Sequence, residues 1–392
     1  MGSIHRLLCH PTTLSSLVFI LVSITAPAIA AANEPELTED SKCDCYLNND
    51  NSSTYFTHHR FFDFRSLAKY AGVPAVIQDA ESSPGADITS DYFKQDDWTN
   101  FWLLGSWNNS NGVREDATVS MVNSPNNVYI EANTEPNPSS QTYLTLRTQR
   151  LRDFQTAAEI ESTSTGFQYL SLRMRARTVG AEGAITAVFT YRGSDSLADV
   201  QESDLEIRTV DKRNLIHYTN QPAYTDDGDI VPRATRNATM PNGLDWTDWA
   251  VHRFDWIPGQ TTWYVDDVEV ARLTFQVPRD PSSIILNAWS DGGRWTGNMS
   301  RFDAAYLQVQ WLELIYNSTD SDESKHRRRD EGGCEAVCSI DETPELGTPV
   351  LLWGDGGSHD NGAVGGRGVS AAGSALVWAV VVSVLFAMGL SF

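Results

Sequence analysis

Positive charge is scarce in this sequence. Only 29 Lys and Arg stand against 51 Asp and Glu in 392 residues, a formal charge of −22. A chain this negative repels polyphosphate, which argues against nucleic acid and acidic polymers as partners and leaves neutral material. Cysteine is also scarce, at five. Cys9 sits in the first thirty residues, and Cys43, Cys45, Cys334 and Cys338 form two close pairs at opposite ends of the chain. Four cysteines in an oxidising compartment imply two disulfides, and bridges that cross between the pairs suit the spacing better than local loops. A zinc site is the alternative, but no histidine accompanies these cysteines at ligand spacing. Helical periodicity is nearly absent between about Thr57 and Ser318, which removes the helical fold classes.

The two ends carry addresses. Residues 1–30 run from His5 and Arg6 through an apolar stretch, Leu14 to Ile24, to the small residues Ala28-Ile29-Ala30, the layout of a cleaved secretory signal. Cleavage is placed after Ala30, with Ala32 close behind. At the other end Ala375 to Phe392 is uncharged and has no basic anchor after it. Upstream of it, Asn361-Gly362-Ala363 and a spacer give the pattern of a GPI-anchor signal, with attachment at Asn361 and removal of 362–392. Ser358 or a residue near Gly368 are the other attachment points. Sequons stand at Asn51, Asn108, Asn237, Asn298 and Asn317 and fit a secreted glycoprotein.

Between these addresses the sequence divides into an N-terminal segment 31–56, a main domain 57–318 and a charged, Gly-rich stretch 319–361 read as a linker. The main domain is rich in Trp, Tyr, Thr and Val and is broken every 8 to 12 residues by turn formers. Strands are expected at Val128–Ala132, Thr142–Arg147, Tyr169–Ala176, Ala184–Tyr191, Ser203–Thr209, Leu215–Thr219, Val251–Trp256, Thr261–Val265, Glu269–Thr274, Ile284–Ala288 and Tyr306–Tyr316. Two sheets packed face to face accommodate that number. Thr261 to Arg272 reads as a hairpin turning at Asp266-Asp267.

The run Asp199-Val-Gln-Glu-Ser-Asp-Leu-Glu-Ile-Arg208 places Glu202, Asp204 and Glu206 at alternate positions of one strand. Alternation points all three to one face, while Leu205 and Ile207 face a core. Like charges side by side weaken a sheet, so the arrangement suggests use rather than structure. Paired carboxylates perform glycoside hydrolysis, and crowding would keep one of them protonated as an acid.

This strand, the following Tyr218-Thr-Asn220 and the block Asp245-Trp-Thr-Asp-Trp-Ala-Val-His-Arg-Phe-Asp-Trp-Ile-Pro258 running into Trp263-Tyr-Val-Asp-Asp267 resemble glycoside hydrolase family 16. The resemblance covers most of 57–318. It implies an all-β, two-sheet β-jelly roll sandwich of the concanavalin A-like kind. It also implies Glu202 as nucleophile, Asp204 as helper and Glu206 as acid/base. The absence of an extra residue between Asp204 and Glu206 is similar to the unbulged branch, and the lipid-anchor signal is similar to that of fungal wall-remodelling members. Asp267 stands where Gly is usual and His252 where Tyr is more common.

Sugar rings stack on aromatic faces, which makes Trp289 and Trp295 the expected cleft walls, with Tyr218, Asn220 and Gln221 as hydrogen-bonding partners. Trp246, Trp249, Trp256 and Trp263 are assigned to packing, Trp98, Trp102 and Trp107 are left open, and Glu159 and Glu161 are given a scaffold role. The expected protein is a monomeric, GPI-anchored cell-surface enzyme that cleaves or transfers β-linked glucan, with chitin as a further acceptor. It needs no cofactor, and a structural Ca²⁺ is allowed for without a ligand set. A lectin-like wall protein on the same fold is the rival reading.

Overall fold

The structure is a computed structural model that describes residues 36–48, 54–109, 114–225, 227–320, 334–341 and 343–354. The secretory signal, the sequon at Asn51 and the anchor signal with Asn361 lie outside the described residues.

Two antiparallel sheets pack face to face. The cleft sheet runs in the order Thr235–Thr239, Leu215–Gln221, Gln201–Arg208, Ile185–Arg192, Ser283–Trp289, Phe154–Ser162. The back sheet runs Thr142–Arg150, Ala304–Ser318, Phe167–Gly180, Ala250–Ile257, Gln260–Val265, Val268–Leu273. Phe154–Ser162 joins them, because Thr156 pairs with Gln149 of the back sheet while Glu159 pairs with Asn287 of the cleft sheet. The result is an all-β jelly-roll sandwich, continuous along one edge. All eleven expected strands form, several of them longer than expected at their ends.

Alternation builds the core. Leu205, Ile207, Tyr218 and Leu286 from the cleft sheet meet Leu172, Phe254, Trp256 and Trp263 from the back sheet, all at most 3% exposed. Trp98, Trp102 and Trp246 join the same core, whereas Trp249 lies on the outer face between Tyr143 and Arg177. Asp266 and Asp267 turn the expected hairpin at φ 45° and 63°. The left-handed conformation is where Gly costs least, and Asp tolerates it.

The linker reading is corrected for residues 334–354. Val337–Ser339 and Val350–Trp353 are strands, and with Glu36–Leu37, Cys45–Leu47 and Tyr55–Phe56 they make a separate five-stranded sheet. The two pairs of cysteines cross-bridge as Cys43–Cys338 and Cys45–Cys334, which also removes the zinc reading. Tyr46, Phe56, Cys338 and Ile340 then bury against Ile257 and Ile315 of the back sheet. Apolar residues that a solvated linker would expose are enclosed here, which is the physical reason this stretch folds. Among the sequons, Asn108, Asn237 and Asn298 are exposed. Asn317 is half-buried, its Oδ1 accepting from the Thr57 backbone N–H at 3.0 Å.

Ionic contacts cross from the small sheet region to the sandwich at Asp341, which pairs with Arg173 and Arg253, and at His59. The buried His59 lies 2.8 Å from Asp40 through Nδ1 and 3.0 Å from the fully buried Glu313 through Nε2. Burial opposes the imidazolium, but the two carboxylates outweigh it and raise His59 to about 9. A group raised on folding contributes stability that is complete below its unfolded value near 6.5 and is lost as pH rises through about 9. The contribution is roughly 3 kcal/mol at most. The melting temperature is therefore expected to fall between pH 7 and 9.5, and His59→Gln should lower it at pH 6 and flatten that alkaline decline. An unchanged decline in the variant would remove His59 as its cause.

Candidate active site

The cleft is a lattice of three rows crossing the strands of the cleft sheet. One row holds Glu159, Asn287, Ala187, Glu206 and His217. The next holds Glu161, Ile285, Phe189, Asp204, Thr219 and Thr235. The third holds Ser283, Tyr191, Glu202 and Gln221. Gln201–Arg208, the acid strand, pairs with both neighbours without a register shift, so no bulge interrupts the alternation of its carboxylates. Glu202, Asp204 and Glu206 share a cleft of about 280 Å³ with Trp107, Arg114 and Trp289.

Burial and mutual repulsion order the three acids. Burial raises Asp204 most, reinforced by the charges of Glu202 and Glu206, and takes it well above the usual carboxylate range. Its proton is held in a hydrogen bond to Glu202, which opposes the effect of burial on Glu202. Burial and then the Glu202 charge raise Glu206 to about 7, against the pull of the Trp295 indole, Arg208 and Arg114. Burial raises Glu202 as well, while the Asp204 hydrogen bond favours its charged form, and slightly below neutral pH Glu206 keeps its proton. A charged group beside a proton donor is what general acid chemistry with a nucleophile requires.

Trp295 reaches the site through its edge. Its Nε1 donates to Glu206 Oε1 at 3.3 Å, while the Arg208 guanidinium lies 4.3 Å from the ring centroid and Arg208 Nε donates to the Trp295 carbonyl at 2.8 Å. His217, held to Asp211 at 2.6 Å, meets the ring edge-on at 5.3 Å. Trp289 opens into the cleft with Arg114 6.0 Å from its ring. The Gly-rich loop after Trp289 is fixed by Asp291, whose Oδ1 accepts from Gly293 N and Thr296 Oγ1, each at 2.9 Å. Gly292 adopts φ +68°, and a Cβ there would lie 2.2 Å from Thr118 Oγ1. Only glycine fits that turn.

Tyr218 and Asn220 are corrected. They pair with Leu205 and Ser203 and therefore point into the sandwich, not the cleft. Tyr218 packs on Trp263 at 5.3 Å between ring centroids. Asn220 accepts from Ser203 Oγ at 2.7 Å and donates to Thr261 Oγ1 at 3.0 Å and to the Phe275 carbonyl at 2.9 Å. Gln221, of opposite parity, is on the cleft side beside Glu202 and hydrogen-bonds Asp204.

Glu159 is a correction in the other direction. It lines the cleft, accepts from Trp107 Nε1 at 2.7 Å, and is raised by burial with a further push from Glu161. The alternation of Ala158 and Ile160 with Glu159 and Glu161 was the available signal. Asn123 and Asn287 also face the cleft, each with a buried side-chain oxygen that has no partner among the described residues. Such oxygens accept hydrogen bonds from hydroxyl groups. Among the described residues no group of three or more His, Cys, Asp or Glu is placed to hold a metal ion.

Comparison with known proteins gives the family. The model of the glycosyl hydrolases family 16 matches residues 115–310, half of the chain. The β-glucanase of Paenibacillus polymyxa is 27% identical over 140 residues, 34% of this chain and 54% of that relative. The β-glucanase of Bacillus subtilis is 24% identical over 151 residues, 37% of this chain and 58% of the relative. The chain thus spans little more than half the length of these curated relatives. The solved β-glucanase of Bacillus licheniformis is similar over 56% of this chain and 93% of its own, at 21% identity and a TM-score of 0.44.

Because the Glu202 charge helps hold Glu206 up, Glu202→Gln should lower the Glu206 titration midpoint by about one pH unit. Carboxyl chemical shifts of ¹³C-labelled Glu206 read it directly. A midpoint that stays at 7 would mean burial alone sets it.

Proposed function

The chain belongs to the glycosyl hydrolases family 16, and from that premise we propose that it cleaves β-linked glucan with retention of configuration. The observation that carries this reading is the placement of three carboxyl groups on one unbulged strand face in one cleft, with Glu206 raised to about 7. Ionised Glu202 attacks the anomeric carbon while Glu206 gives its proton to the departing glycosidic oxygen, so the bond to that oxygen breaks as the glycosyl-enzyme bond forms. Glu206, now a carboxylate, takes a proton from water or from a second glycan hydroxyl, whose oxygen displaces Glu202. The two-step route needs carboxyl groups about 5 to 5.5 Å apart. Glu202 and Glu206 line the same cleft with Asp204 between them on the strand, which supports such a convergence.

The unbulged acid strand supports placement in the branch that acts on wall glucans, and the end sequences support secretion and a GPI link to the cell surface. In that setting the enzyme remodels wall polysaccharide, and the resolving nucleophile decides between hydrolysis and transfer to glucan or chitin. Trp289, Trp107, Asn123, Asn287 and Glu159 would grip the sugar rings through stacking and hydroxyl contacts.

Laminarin and mixed-linkage glucan, incubated with a labelled chitin or glucan oligomer, test the reading by product mass. Shortened chains are expected, and labelled longer chains where transfer competes with water. Glu202→Gln should abolish turnover while retaining glycan, and Glu206→Gln should lose roughly 10²- to 10⁴-fold in kcat. Full activity in Glu202→Gln would overturn the assignment.

The acid works protonated, so kcat/KM should fall as pH rises through about 7, the Glu206 value. Trp295→Phe removes the indole N–H that holds Glu206 down, and its alkaline limb should move to higher pH. A limb that stays in place would separate Trp295 from the acid.

A further inference from the structure

Away from the cleft, where the edges of the two sheets meet, Arg233, Arg236 and Arg272 line a groove of about 340 Å³ with Leu273, Thr274 and Phe275. Three guanidinium groups in one groove are anomalous in a chain with 51 acids and 29 bases. Like charges raise one another's energy unless an anion intervenes. Arg272 has its own carboxylate, with Nε donating to Glu269 Oε1 at 3.0 Å. Arg233 and Arg236 have none among the described residues. Arg233 instead stacks on Phe275, 3.7 Å from guanidinium carbon to ring centroid, and Arg236 donates to the neighbouring Thr235 carbonyl at 2.9 Å. Stacking fixes a guanidinium plane without consuming its edge donors, which leaves a fork free for a carboxylate or a phosphate.

The groove is connected to the cleft. The Asp204 row continues through Thr219 to Thr235, whose hydroxyls lie 3.1 Å apart, and ends at the edge strand that carries Arg236. Phe275, the wall under Arg233, accepts through its carbonyl from Asn220, which is bonded to Ser203 of the acid strand. Arg236 pairs with Tyr218 and so lies on the face opposite Thr235, and a polymer that follows the row and turns around the Thr235–Thr239 edge meets the groove next.

We propose that this groove is a subsite for an anionic substituent, a carboxylate or a phosphate ester, carried by the polysaccharide as it leaves the cleft across the Thr235–Thr239 edge. The inference rests on the glucan-cleaving reading for the direction of the chain. The overall negative charge does not oppose it, since screening removes distant repulsion beyond about 10 Å at 0.1 M salt. A wholly acidic polymer is repelled, whereas a sparsely substituted one is gripped locally.

Neutral laminarin, laminarin bearing sparse glucuronic acid units and laminarin bearing sparse phosphate esters serve as three substrates for the full-length protein. The readout is kcat/KM for each acidic polymer relative to the neutral one, in wild type, in the double variant Arg233→Ala, Arg236→Ala and in the charge-retaining Arg233→Lys, Arg236→Lys. At least one acidic polymer should be favoured about five- to tenfold in wild type, a gain that two partly exposed ion pairs can supply. The alanine pair should bring the ratio to about one, the lysine pair should keep part of it, and 0.5 M NaCl should erase it. No preference in wild type, or a preference that survives the alanine pair, would overturn the subsite. If none of the polymers is cut, affinity electrophoresis on the same three polymers carries the test. Stronger retention by an acidic gel that is lost in the alanine pair then supports the subsite while the cleavage reading fails, and equal retention refutes both.

Discussion

The whole site depends on the fixed register of one strand. Gln201–Arg208 is paired on both sides without a slip, and a shift of a single residue would exchange Glu202, Asp204 and Glu206 for Ser203, Leu205 and Ile207. Core packing prevents that exchange. Leu205 and Ile207 are buried against the back sheet, and moving them into the cleft would bury three acids in an apolar interior. The energy that holds the carboxylates together thus comes from the other face of the same strand.

Much of this was legible from residue order. Three acids at alternate positions define a face, and the strand pattern around them defines a sandwich. What residue order does not contain is the pairing between strands. Tyr218 and Asn220 follow the acid strand closely and are polar enough to suggest a cleft, but register with Leu205 and Ser203 assigns them to the interior. Glu159 lies more than forty residues before the acid strand and reaches it only because Phe154–Ser162 and Ile185–Arg192 flank Ser283–Trp289. The small sheet escaped notice for a similar reason. Its strands come from the two ends of the chain and are too short to carry a periodic signal, and they become strands only when brought together by two disulfides.

Charge acts here at two ranges. At long range the net negative charge repels other polyanions, and at short range burial and hydrogen bonds shift which carboxyl keeps its proton. His59 and Glu206 illustrate the contrast. Flanking carboxylates favour a buried cation in the first, and a neighbouring carboxylate favours a neutral acid in the second. The same kind of neighbour therefore stabilises a joint between sheets in one place and prepares a proton donor in the other.

The crossed disulfides have a mechanical meaning. Cys43–Cys338 and Cys45–Cys334 close the chain 295 and 289 residues apart, so almost the entire sandwich lies within a covalent loop. Tension applied between the segment before Cys43 and the segment after Cys338 travels through the sulfur bridges and bypasses the loop. The strand pairings that hold the acid face in register carry none of that load, and the cleft keeps its shape while the ends are pulled.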